Sequence, residues 1–93
     1  EMQENYLRVN KEAAEEIARH LRLRNLSGMV LVDFINLISK SAEEELLKTF
    51  RAALQKDPVP AQLIDMTALG LVEVTRKKIK RPLHEIFPDG LGF

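Results

Sequence analysis

Met29-Val30-Leu31-Val32-Asp33-Phe34-Ile35 decides the fold. The run is short, almost wholly apolar and rich in β-branched residues, and it follows a glycine, which is the pattern of a central strand covered on both faces. Such a strand needs helices over its faces, and amphipathic segments lie on either side. Upstream, Ala13, Ala14, Ile17, Ala18 and Leu21 recur at three- and four-residue intervals behind Asn10, a good N-cap, so residues 10–24 are predicted to form a helix. Its other face is acidic from Glu12 to Glu16 and basic at Arg19, Arg22 and Arg24, an order that suits the helix dipole. Asn25-Leu26-Ser27-Gly28 then ends it. Downstream, Ser41-Ala42-Glu43-Glu44 has the form of a capping box, and Leu46, Leu47, Phe50, Ala53 and Leu54 make the apolar stripe of a second helix ending near Lys56.

Asp57-Pro58-Val59-Pro60 stops that helix, because each proline restricts the residue before it and lacks an amide donor. Gln62-Leu63-Ile64-Asp65 then reads as a short strand. Gly70-Leu71-Val72-Glu73-Val74-Thr75-Arg76 reads as a longer one, with Val72 and Val74 on one face and Glu73 and Thr75 on the other. The expected class is α/β: a small three-stranded sheet, mixed or mostly parallel, with two main helices. Residues 1–9 are a lead-in, 10–87 the α/β unit with a helical turn at 83–87, and 88–93 a C-terminal loop or linker.

The chain has 93 residues, with 14 Lys and Arg balancing 14 Asp and Glu, which is enough for one domain. An apolar fraction of 45% with 30% charged residues argues against disorder. A chain this short buries only about 60–65% of its unfolded surface, so contact with neighbouring protein would add to its stability. The absence of cysteine excludes disulfides, thiolate metal sites and cysteine nucleophiles. It fits a reducing compartment without requiring one, and a cytoplasmic setting is expected. No apolar run approaches the roughly 20 residues of a membrane span, and Glu1-Met2-Gln3-Glu4 has neither the basic start nor the apolar stretch of a signal peptide. No Gly-x-Ser-x-Gly elbow and no phosphate-cradling glycine loop is present, and His20 and His84 are too distant in sequence to imply a shared site.

Asp33 breaks the apolar pattern, since an ionised carboxylate in a buried strand is costly unless paired, hydrogen-bonded or bound to a cation. At a strand's carboxyl end it either bonds loop amides or holds a hard cation such as Mg²⁺ through oxygen. A magnesium site would want a second acidic ligand, for which Asp65, Glu73 and the amide oxygen of Asn36 are the weak candidates. The second landmark is the basic run Arg76, Lys77, Lys78, Lys80 and Arg81, interrupted only by Ile79. The first fifty residues carry seven basic and nine acidic groups and the remainder seven and five, so the positive charge gathers late in the chain. This run is either a phosphate-contacting patch for nucleic acid or a solvated strand end.

The string NKEAAEEIARHLRLRNLSGMVLVDFI, residues 10–35, resembles the ribonuclease E/G family, specifically the deoxyribonuclease-I-like part of its catalytic domain. The loop Gln55-Lys56-Asp57 and the stretch Gly70-Leu71-Val72-Glu73-Val74-Thr75-Arg76-Lys77-Lys78 also resemble that family, so the likeness covers nearly the whole chain. The resemblance implies a Mg²⁺-dependent endoribonuclease that hydrolyses single-stranded RNA in processing and decay. Asp33 would be a catalytic, magnesium-holding aspartate, and the basic run would contact RNA. The family's second metal-binding aspartate lies in an Asp-x-Asn motif ahead of the first helix, and residues 1–9 contain none. The Cys-Pro-x-Cys zinc-link that joins protomers in the family has no counterpart here, so zinc and a homo-oligomer would belong to the parent protein. Ser27-Gly28 replaces the family's usual Gly-Gly, and Pro60 stands about where some members carry an arginine near the RNA 5′ end. The implied object is an excised subdomain, inactive alone, whose partners are RNA and the rest of the parent catalytic domain. The alternative is a non-catalytic α/β module that binds RNA or an acidic protein.

Overall fold

The computed structural model describes residues 2–64, 67 and 70–78. In chain order the elements are α1 (Met2–Leu23), β1 (Gly28–Val32), α2 (Lys40–Leu54), β2 (Ala61–Ile64) and β3 (Val72–Arg76). The class is α/β, as expected, but the pairing is not parallel. The sheet order is β1-β3-β2, and β3 runs antiparallel to both neighbours. Loop length explains this. The connection from β2 to β3 is far shorter than the dozen residues that a parallel crossover needs, so β3 must return antiparallel. The β1-to-β2 connection carries α2 and is long enough for β1 and β2 to run in one direction with β3 between them, a split βαβ arrangement.

α1 begins at Met2, two turns before Asn10, so Asn10 is an interior helix residue and the expected lead-in is helical. Tyr6 and Leu7 in that extension pack against the core. The helix ends as expected at Asn25, whose φ of 50° is left-handed. The Leu26 amide donates to the Leu21 carbonyl at 3.0 Å and the Asn25 amide to the Arg22 carbonyl at 3.2 Å, the paired bonds of a Schellman cap. Gly28, next in line, has a φ of +92°, a conformation that a side chain would strain. α2 starts at Lys40, and its cap is Ser39 rather than Ser41. The extended Ser39 (φ −78°, ψ 131°) accepts from the Ala42 amide, while the Ser41 hydroxyl lies 2.8 Å from that of Ser39.

Both helices cover one face of the sheet. Ala14, Ala18 and Leu21 of α1 and Leu46, Phe50, Ala53 and Leu54 of α2 meet Val32, Val72 and Val74 in a single core. Phe50, Val72 and Val74 are fully buried, each contributing about 1.5–3 kcal/mol of transfer free energy. The opposite face carries Met29 and Leu31 of β1, Glu73 and Thr75 of β3, and Gln62 and Ile64 of β2, placed together by the register. No helix covers it among the described residues, and Met29 and Leu31 remain 63% and 51% exposed. β1 is thus an edge strand with one covered face, not the central, doubly covered strand its composition suggests. A continuous apolar run lacks the alternation that would mark one face as open. The helical turn expected at 83–87 and the linker at 88–93 lie outside the described residues.

Candidate functional site

Asp33 immediately follows β1 and is exposed. It is therefore not a buried carboxylate bonded to loop amides, because no hydrogen bond or ion pair engages it among the described residues. The connection that follows is firmly held. The ring of Phe34 packs edge-on against Phe50, with centroids 5.7 Å apart and planes at 89°. The Ile35 amide donates to Asn10 Oδ1 at 2.9 Å and the Ile35 carbonyl accepts from Asn10 Nδ2 at 2.8 Å. Leu37 is buried, the Ile38 amide donates to Gln3 Oε1 at 3.0 Å, and Ser39 caps α2. Across the sheet end, the Thr67 hydroxyl accepts from the Leu71 amide at 3.2 Å and the Thr67 amide donates to the Leu71 carbonyl at 2.7 Å. A free carboxylate therefore projects from a backbone that is fixed on its C-terminal side.

A hard oxygen donor of this kind fits Mg²⁺, which takes one or two carboxylates and completes its shell with water and phosphate. Of the three expected second ligands, two are among the described residues. By register Glu73 pairs with Leu31 on the open sheet face, one position back from the strand end. Asn36 is exposed in the connection after Asp33, and Asp65 lies outside the described residues. Among the described residues no group of three or more His, Asp or Glu side chains could hold a metal.

The described part of the basic run, Arg76 to Lys78, sits at the opposite end of the sheet. Val72 pairs with Val32 and Arg76 with Gly28, so Lys77 is separated from the level of Asp33 by about 20 Å of extended strand. Lys77 and Lys78 are exposed, and Lys80 and Arg81 lie outside the described residues. Arg76 departs from the expected patch: its side chain is 2% exposed. Its Nε donates to Asp57 Oδ2 at 2.7 Å, its Nη2 to Asp57 Oδ1 at 3.3 Å, and its Nη1 at 2.9 Å to both Asn25 Oδ1 and the Leu26 carbonyl. Four of the five guanidinium N–H donors are engaged and the side chain is buried, which withdraws it from phosphate contact. Burial by itself would raise the Asp57 carboxyl, but the Arg76 hydrogen bonds, the Val59 amide and the charges of Arg76 and Arg22 outweigh it and hold the carboxyl below its ordinary range. Two signals pointed this way: Arg76 continues the inward alternation of Val72 and Val74, and Asp57 is the acid in the loop before the prolines. Asn10 carried a similar sign, being spaced by fours with Ala14 and Ala18.

The geometry defines a two-layer α/β unit that presents an exposed carboxylate at the carboxyl end of an edge strand. Residues 1–79 match the model of the Ribonuclease E/G family, and the chain belongs to that family. It is 45% identical over 86 residues to a protein named Ribonuclease E from Nostoc sp., covering 92% of this chain and 12% of that protein. It is 40% identical over 77 residues to Ribonuclease G of Escherichia coli, covering 83% and 16%. It is 37% identical over 90 residues to a Ribonuclease E/G-like protein of Pyropia yezoensis, covering 97% and 18%. The chain spans less than a fifth of the length of these curated relatives. Among the described residues no helix is long and apolar enough to cross a membrane.

Proposed function

We propose that this chain is the Asp33-bearing part of an endoribonuclease of the ribonuclease E/G type, which hydrolyses single-stranded RNA with the help of Mg²⁺. The observation that carries the proposal is the exposed carboxylate of Asp33, unpartnered among the described residues, on an anchored strand end in a chain that belongs to this family. Asp33 would hold the ion together with a second carboxylate supplied by the longer protein. When bound there, Mg²⁺ supplies Lewis-acid activation of water and neutralises charge growing on the phosphate. The chain's own task is to present Asp33 at a fixed place, with Lys77 and Lys78 attracting the RNA backbone at the far end of the sheet. A single carboxylate leaves the ion underbound, so the isolated chain is expected to be inactive.

The test is Asp33→Ala in the full-length enzyme, assayed on a single-stranded RNA with Mg²⁺. Cleavage should fall by more than about 100-fold, beyond the usual effect of removing an outer partner of a metal ligand. The unfolding free energy should change by no more than about 0.5 kcal/mol, because the side chain is exposed and makes no contact that the fold requires. An active Asp33→Ala enzyme would overturn the assignment and leave the non-catalytic binding module standing.

A further inference from the structure

We propose that Asn10 is a positioning residue for the metal site: its buried amide locks the Ile35 peptide and thereby fixes the direction in which the Asp33 carboxylate leaves β1. The inference rests on Asp33 as the magnesium ligand. Asn10 lies mid-way along α1, where asparagine is a poorer helix former than alanine, and only 2% of it is exposed. A buried amide must be matched, and this one is matched on a single residue, donating from Nδ2 to the Ile35 carbonyl and accepting at Oδ1 from the Ile35 amide. That two-point contact resists rotation as well as translation of the backbone. Phe34 alone separates the clamped residue from Asp33, and its ring is seated on Phe50. The segment after Asp33 is thus pinned twice in two residues, on its backbone and by a side chain. β1 holds the residues before it through the ladder with β3. Irregular backbone beside a strand end would otherwise sample several directions, and an ion that demands near-ideal octahedral geometry is sensitive to that freedom. Elsewhere in this segment the hold is weaker: Gln3 takes only the Ile38 amide.

The experiment uses the full-length enzyme with Asn10→Ala, with Asp33→Asn as the control. Mn²⁺ affinity is read by electron paramagnetic resonance, cleavage of single-stranded RNA is measured across a Mg²⁺ titration, and folding is followed by urea titration. Asn10→Ala should weaken Mn²⁺ binding by about 10–100-fold, the range for outer hydrogen-bond partners of metal ligands. It should raise the Mg²⁺ concentration needed for half-maximal cleavage by a similar factor, with much of the rate regained at saturating Mg²⁺. If Asn10→Ala fails to fold, Asn10→Asp keeps the volume and the acceptor for the Ile35 amide but sets a carboxylate oxygen against the Ile35 carbonyl in place of the donor, and the same weakening is expected. A folded variant with wild-type Mn²⁺ affinity and Mg²⁺ dependence would overturn the inference, whatever its stability, provided that Asp33→Asn loses the metal. Asp33→Asn retaining wild-type affinity would instead remove the ligand assignment itself, and the positioning role with it.

Discussion

At one end of the sheet Asp57 is buried against Arg76, while at the other Asp33 stands in solvent with no partner among the described residues. The first carboxylate is closed. Its charge is matched by a guanidinium that also gathers Asn25 and the Leu26 carbonyl, so the group ties the α1–β1 turn, the loop after α2 and the end of β3 into one knot. The second is open, and the structure around it anchors backbone instead of neutralising charge. One sheet therefore separates holding the fold from presenting a ligand, and the two aspartates are not interchangeable. The same contrast sorts the basic residues: Arg76 belongs to the knot, and Lys77 and Lys78 face water.

The contrast breaks most visibly at the closed end. Arg76→Met should cost about 3–5 kcal/mol in a urea titration, because it leaves the Asp57 carboxylate buried without its partner. Asp57→Asn combined with Arg76→Met should cost less than Arg76→Met alone, and a double-mutant cycle measures the difference. A double variant that costs the sum of Arg76→Met and Asp57→Asn would mean that the pair holds nothing.

Acid sharpens the comparison with a smaller effect. The Asp57 carboxyl is held below its ordinary range, so the folded state binds that proton less readily than the unfolded chain. Its contribution is then fully present above the ordinary carboxylate value and is lost as the pH falls from about 4 through the lowered folded value. Urea midpoints should drop over that interval, and the part of the drop due to Asp57 should vanish in Asp57→Asn.

The smallest effect is expected at the exposed lysines. Lys77→Ala with Lys78→Ala should leave stability within about 0.5 kcal/mol. If both lysines neutralise RNA phosphates, the salt dependence of binding should flatten by about 1.4 in logarithmic slope, near 0.7 for each phosphate of a single strand that a lysine no longer neutralises. A slope unchanged in the full-length enzyme takes these lysines out of the RNA path.

Much of the fold was legible along the chain. The stripe from Leu46 to Leu54 predicts α2, Asn25 to Gly28 predicts the end of α1, and the alternation of Val72 and Val74 with Glu73 and Thr75 predicts β3. The start of α1 was hidden because asparagine serves equally as a cap and as a buried hydrogen-bonding residue, and only the Ile35 backbone 25 residues away distinguishes them. The open face of β1 was hidden by its uniformly apolar composition. The candidate site was half legible: Asp33 stood out as a charge in an apolar run, but nothing nearby in sequence told whether it was buried and paired or exposed and free.

Sequence by itself determined the family, the two helices and the three strands, since periodicity, caps and prolines act over a few residues and leave local marks. Only the tertiary structure decided the pairing of β3 with β1, the withdrawal of Arg76 into the core and the two-point hold of Asn10 on the backbone beyond Asp33. Those outcomes depend on which groups meet across separations of 19 to 51 residues, and hydrogen bonds and desolvation act on proximity in space, which a sequence pattern does not record.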